Sequence, residues 1–120
     1  TSPPLFLTSV RPELVEGRAR LISLAMSFHA YLLRCSDGSF YAGHTDDLDA
    51  RMGQHHAGLA GGYAAARRPV MLVWTESFVS RDEALAAERQ IKGWSRAKKQ
   101  ALIAGDWNRL HMLARNRQGG

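Results

Sequence analysis

The sequence predicts a small α/β (α+β) domain in which a three-stranded antiparallel sheet is flanked by helices, in the order ββαβαα. Three observations carry this reading. Two short apolar runs are joined by a turn-forming tetrapeptide, a third β-prone run spans Val70 to Phe78, and three later segments show helical spacing between a capping residue and a glycine. One hundred and twenty residues, 45% of them hydrophobic, suit one compact domain with a small core.

The elements follow in order. From His29 the pattern is strand-like through Tyr31, Leu32 and Leu33; Ser36, Asp37, Gly38 and Ser39 form turns, and Phe40 and Tyr41 open the return strand. Thr45, Asp46 and Asp47 offer capping oxygens and first-turn acidity to a helix running through LDARMGQHH to Gly58. GLAGGYAAARRP is a glycine-rich loop without a phosphate-loop signature. Val70 to Phe78 reads as a well-buried third strand, and Ser80 with Glu83 as a capping box for a second helix ending at Gly93. Ser95 starts a basic third helix to Gly105; a weaker periodic segment, Trp107 to Ala114, precedes a polar tail expected to fray.

Residues 1–25 stand apart. They hold three of the four prolines and no sustained period, so they are expected to be a disordered leader or a non-native extension, with the domain occupying 26–105 and a basic helix or tail 106–120. Cys35 is the single cysteine, which excludes an intrachain disulfide and a cysteine-rich zinc site and makes a cytoplasmic address the expectation. No apolar run approaches the ~18 residues a membrane span needs, so no membrane partner is expected.

The formal charge of +5 is unevenly distributed. After Glu88 come Arg89, Lys92, Arg96, Lys98, Lys99, Arg109, Arg115 and Arg117, against Asp106 alone. A phosphate backbone attracts such a surface, and a solvated basic face gives the same count.

Two helix positions are unusual. Leu48, Met52, His55 and Leu59 share one stripe of the first helix, with Arg51 at its edge, so His55 is an inward-facing ring. Read alone, it is a core histidine satisfied by a backbone carbonyl. On the second helix Ala84, Ala87, Glu88 and Ile91 share a face, which puts a carboxylate into an apolar stripe. Such a charge must pair with a base, hold a cation or lie at a cleft edge.

Taken together, Tyr31, Tyr41, Arg51, His55 and Glu88 resemble the site of the GIY-YIG nuclease superfamily, and more closely its short stand-alone bacterial members of the excinuclease-subunit-like, UPF0213 type. The resemblance covers residues 28–105 and rests on AYLLRCSDGSFYAGHTDDLDARMGQHHAG, RRPVMLVW and SRDEALAAERQIKGWSRAKKQALI. The first motif reads His29-Ala30-Tyr31 in place of Gly-Ile-Tyr, and the second Tyr41-Ala42-Gly43 in place of Tyr-Ile-Gly. Both tyrosines and the second glycine stand; the first glycine does not.

What the resemblance implies is a metal-dependent endonuclease hydrolysing DNA phosphodiesters, in repair or recombination. Glu88 would hold one Mg²⁺ or Mn²⁺ ion, Tyr41 would act as general base, Arg51 would grip the scissile phosphate, and His55 would orient or share the base role. Tyr31 would position water or phosphate. His44 falls where some relatives place a lysine, and would contact phosphate.

Arg67, Arg68, Lys92, Arg96, Lys98 and Lys99 are the candidate backbone contacts. The implied partner is structured or duplex DNA, with RNA left open, and the implied state a monomer or weak homodimer. The competing reading, from another class, is a non-catalytic nucleic-acid-binding module or accessory subunit using the same surface. The bland reading of Tyr31 and Tyr41 is cross-strand packing, and Trp74, Trp94 and Trp107 read as packing residues. Cys35 reads as a strand-end core residue with no nucleophilic partners.

Overall fold

The computed structural model describes residues 27–119. The expected leader, 1–25, lies outside the described residues. Eight elements follow: β1 (Phe28–Arg34), β2 (Phe40–Thr45), α1 (Leu48–Ala57), α2 (Gly62–Ala65), β3 (Met71–Phe78), α3 (Arg81–Lys92), α4 (Arg96–Ala104) and α5 (Trp107–Gly119). The strands form one antiparallel sheet in the order β2-β1-β3, which makes β1 central.

The hairpin turn is closed by Cys35 N–H donating to Ser39 O at 2.8 Å and Gly38 N–H to Cys35 O at 2.9 Å, with Asp37 Oδ1 accepting from Ser39 N–H at 2.9 Å. This fixes the register that sets Tyr31 opposite Gly43, Leu33 opposite Tyr41 and Ala30 opposite His44. Because side chains alternate along a strand, the register also sorts the site residues between the two faces of the sheet.

The face bearing Tyr31 and Leu33 packs with Cys35, Ala64 and Val70, and with Tyr41, Leu48 and Met52. The opposite face is covered by the C-terminal helices. Leu32 and Ala42 join Ile91, Ala101, Leu102 and Leu110 in one cluster, with Trp74, Trp94 and Trp107 packed against it; Ala30 and Phe78 join Ala84 and Ala87 in another. Leu110 is 3% exposed, so α5 belongs to the packed domain, and its helix runs on to Gly119 where a fraying tail was expected after Ala114.

Helix starts are capped by the side chains that the spacing singles out. Asp47 accepts from Ala50 N–H at 3.1 Å, Ser80 from Glu83 N–H at 3.1 Å and Ser95 from Lys98 N–H at 3.2 Å. The box at Ser80 is incomplete, because Glu83 Oε1 is buried without a hydrogen-bond partner. α1 stops where Gly58 adopts φ 79°, and its N–H returns to the last carbonyls. Leu59 therefore falls off the helical stripe assigned to it and is 78% exposed.

Two further expectations are corrected. The glycine-rich loop contains a short helix, α2, whose Ala64 is wholly buried against Tyr31's face of the sheet. β3 is not well buried: Met71 is 63% exposed, and Thr75 and Ser77 are exposed too. The strand lies at a sheet edge and is irregular where Leu32 and Leu33 meet it, and an apolar run by itself does not distinguish an edge strand from a central one.

Candidate active site

The site is built around β2. On one face Tyr31 Oη lies 2.8 Å from His55 Nε2, both side chains being buried. Tyr41 meets the same imidazole edge to face, its ring centroid 5.5 Å away, and the Tyr31 centroid is 5.6 Å away. His55 thus takes a tyrosine hydroxyl as its partner, in place of the backbone carbonyl of the bland reading. The hydroxyl donates to Nε2 in one imidazole tautomer and accepts from Nε2–H in the other; in both, His55 Nδ1 is buried with no partner.

Burial pushes the Tyr31 phenol well above its usual range, the neighbouring Tyr41 and Glu88 add to this, and Arg51 opposes it. Burial also pushes His55 below its usual 6.5, helped by the charge of Arg51 and by His56. Both partners are therefore neutral at pH 7. Arg51 is half-buried, and among the described residues it makes no ion pair, which leaves its guanidinium fork available to an anion.

The depressed His55 value has a thermodynamic sign. Above pH 6.5 the ring is neutral folded and unfolded, and no cost arises; as pH falls, the unfolded chain takes up a proton that the folded ring refuses. Stability is therefore lost from pH 6.5 down through the folded value. Wild type should lose stability more steeply than His55→Gln over that window, by up to ~1.4 kcal/mol per pH unit, in urea titrations at stepped pH. Parallel profiles would contradict the assignment.

Gly43 explains itself through Tyr31. A methyl group built on Gly43 would come within 2.5 Å of Tyr31 Cζ, so the ring lies flat against bare backbone. The second motif's glycine is what lets the first motif's tyrosine reach His55. Gly43→Ala should cost ~1–3 kcal/mol in chemical denaturation and break the Tyr31–His55 bond. Gly53→Ala, in α1 with open space around it, is the control and should not destabilise.

Across β2, on the other face of the sheet, His44 Nδ1–H donates to Glu88 Oε1 at 2.6 Å. The carboxylate is 14% exposed and the imidazole 24%. Lys92, one turn along α3, is 3.7 Å from Glu88 Oε2 and 64% exposed, an exposed partner of little strength. Nothing in the sequence pattern pointed to the pairing of His44 with Glu88, since the two lie 44 residues apart on elements whose docking is tertiary.

A cation-binding role for Glu88 fits these surroundings. Its carboxylate lies in an apolar helix face with His44 and the exposed Lys92 as partners and no arginine among its ion pairs in the described residues, and among those residues no group of three or more His, Cys, Asp or Glu is assembled into a metal cage. An ion held by few protein ligands and mostly by water matches the preference of Mg²⁺.

The expected phosphate contacts divide. Lys98 is 7% exposed and lies over the Trp94 ring at 4.7 Å, so it packs largely inside. Arg67 binds Asp37 Oδ2 and Tyr63 O, both at 3.1 Å, and Arg68 donates to Ala65 O and His56 O; these arginines fasten α2 to the hairpin turn and to the end of α1. Arg96 donates to Gly38 O at 2.6 Å and covers Phe40. Lys92 is exposed, and Lys99 is half-buried, its ammonium pushed below the usual lysine value by burial.

A three-stranded antiparallel sheet carrying two tyrosines on one face of neighbouring strands, an Arg and a His on the helix after the hairpin, and a glutamate on the helix behind the sheet defines a class. The chain belongs to the GIY-YIG family, whose catalytic-domain model matches residues 27–101. Within that family its relatives are UPF0213 proteins. It is 47% identical over 75 residues to one of Halobacterium salinarum, covering 62% of this chain and 97% of that protein. It is 45% identical over 73 residues to one of Bacillus pumilus, covering 61% and 74% respectively. The NMR structure of the UPF0213 protein BH0048 from Bacillus halodurans is 39% identical, with a TM-score of 0.46 over 68% of this chain and 87% of that one.

Family membership supports a nuclease-like role and DNA as the substrate class. No helix among the described residues is long and apolar enough to cross a membrane.

Proposed function

We propose that this protein is a metal-dependent endonuclease hydrolysing DNA phosphodiesters, with Tyr41 as general base and Glu88 holding one divalent cation, Mg²⁺ or Mn²⁺. The observation that carries it is Arg51, half-buried and without an ion pair among the described residues, beside the Tyr31–His55 pair and Tyr41, with the Glu88 carboxylate on the opposite face of β2, close enough for its charge to raise the Tyr31 phenol. An arginine without a carboxylate partner is costly to keep half-buried in a binding-inert protein, and it suits a phosphate.

The roles follow from placement. Arg51 binds two phosphoryl oxygens and neutralises charge that grows as water attacks. Tyr41, half-exposed, takes the proton of the attacking water. Tyr31 and His55, both buried, hold the Tyr41 ring in place through the shared imidazole. A bound cation supplies charge neutralisation at the phosphoryl group and at the leaving oxygen. Lys92, Arg96 and Lys99 supply the basic flank that follows the DNA backbone, and Arg67 and Arg68 contribute where their internal bonds leave the guanidinium edge free. The setting proposed is cytoplasmic DNA repair or recombination, by a monomer or weak homodimer.

A second reading has its own observation. The 2.8 Å contact joins His55 to Tyr31, not Tyr41, so Tyr31 can serve as base with His55 taking its proton. The test of the function is incubation of the full chain with single-stranded, duplex and branched DNA, with Mg²⁺ or Mn²⁺ and with chelator. Cleavage that chelator stops is expected. Binding without cleavage of any of them would favour a non-catalytic nucleic-acid-binding module.

A further inference from the structure

We propose that His44 is a second ligand of the cation held by Glu88, and that it turns the site toward first-row transition ions such as Mn²⁺ and Co²⁺ relative to Mg²⁺. This rests on the reading of Glu88 as a cation ligand. The observation is the 2.6 Å approach of His44 Nδ1 to Glu88 Oε1, an imidazole nitrogen and a carboxylate oxygen brought together by two elements that the sheet core fixes relative to each other. His44 is anchored opposite Ala30 on β2, and Glu88 sits one residue beyond Ala87 on α3; Ala30 and Ala87 are wholly buried in one cluster.

The two donors are thus pre-arranged. An ion can take the place of the proton between them when the neutral ring carries its one proton on Nε2 instead of Nδ1, which leaves the Nδ1 lone pair and the carboxylate as donors. Among the described residues His44 Nε2 makes no hydrogen bond, and the imidazole is 24% exposed, so the ring has room to adjust. Lys92 lies on the other carboxylate oxygen, 3.7 Å away and mostly exposed, and it does not block the His44 side.

The consequence is chemical selectivity. An all-oxygen site with one carboxylate suits Mg²⁺, which takes oxygen ligands and keeps its waters. An imidazole nitrogen adds affinity for first-row transition ions and nothing comparable for Mg²⁺. With only two protein ligands the site remains open to water and phosphate oxygens.

The test uses the full chain, Mn²⁺ and Mg²⁺ alone as probes, and the variants His44→Gln and Glu88→Gln, with thermal unfolding run in parallel to establish that each is folded. The glutamine at position 44 keeps an N–H for Oε1 but offers no imidazole. Mn²⁺ affinity, followed by the electron paramagnetic resonance of the free ion, should fall on the order of tenfold or more in His44→Gln, with Mg²⁺ affinity changed less than about twofold. The bound-Mn²⁺ spectrum should carry ¹⁴N modulation from imidazole in wild type and lose it in His44→Gln. If His44→Gln keeps wild-type Mn²⁺ affinity while Glu88→Gln loses it, His44 is not a ligand and the Glu88 site stands. If Glu88→Gln also binds as wild type does, the cation site itself falls, and this inference with it.

Discussion

Glu88→Ala should cut DNA on the order of 10²–10³-fold more slowly than wild type in Mg²⁺, the range seen when a group aimed at transition-state charge is removed. The carboxylate is 14% exposed and faces out of an otherwise apolar helix stripe formed by Ala84, Ala87 and Ile91. Its partners in the protein are a histidine and a mostly exposed lysine, a weaker setting than a buried arginine pair would give. The variant should fold, because Ala84, Ala87 and Ile91 carry the packing of that face. Single-turnover rates on labelled DNA, read against urea unfolding of the same preparations, separate lost chemistry from lost structure.

The second large effect is at Tyr41. Tyr41→Phe keeps the ring that meets His55 edge to face and deletes only a half-exposed hydroxyl, so stability should stay close to wild type while the cleavage rate falls by ~10²–10⁴-fold. Tyr31→Phe gives a different pattern. It strands His55 Nε2 beside an already unpartnered Nδ1, and should cost ~1–3 kcal/mol of stability as well as activity. A Tyr41→Phe enzyme that cuts at the wild-type rate, alongside an inactive but folded Tyr31→Phe, would transfer the base role to Tyr31.

Much of this architecture was legible in the chain. The hairpin, the caps at Asp47, Ser80 and Ser95, and the stop at Gly58 depend on local chemistry that a reader of residues can recognise. His55 was identifiable as inward-facing because Leu48 and Met52 share its stripe. Partner choice was not legible. Tyr31 reaches His55 because Gly43 leaves room for its ring, and His44 reaches Glu88 because α3 docks on the far face of the sheet; both depend on register and packing between distant segments.

The basic residues show the same boundary. Counting charges cannot tell Lys98, covered by the core and lying over Trp94, from Lys92 on the surface six residues earlier. Nor does it reveal that Arg67, Arg68 and Arg96 have internal partners that hold loops together. The apolar run of β3 hid its position at the sheet edge for a related reason: hydrophobicity reports what a segment can bury, and strand order decides what covers it.

A site that cleaves DNA and does not merely bind it should show the two activities parting at Glu88. The most direct measurement follows binding and cleavage of one DNA substrate in the same samples, for wild type and Glu88→Ala, with Mg²⁺ present. Glu88→Ala should lose cleavage while still binding DNA, since Arg51 and the basic flank that meet the phosphates are unchanged. Cleavage by Glu88→Ala at the wild-type rate would contradict this.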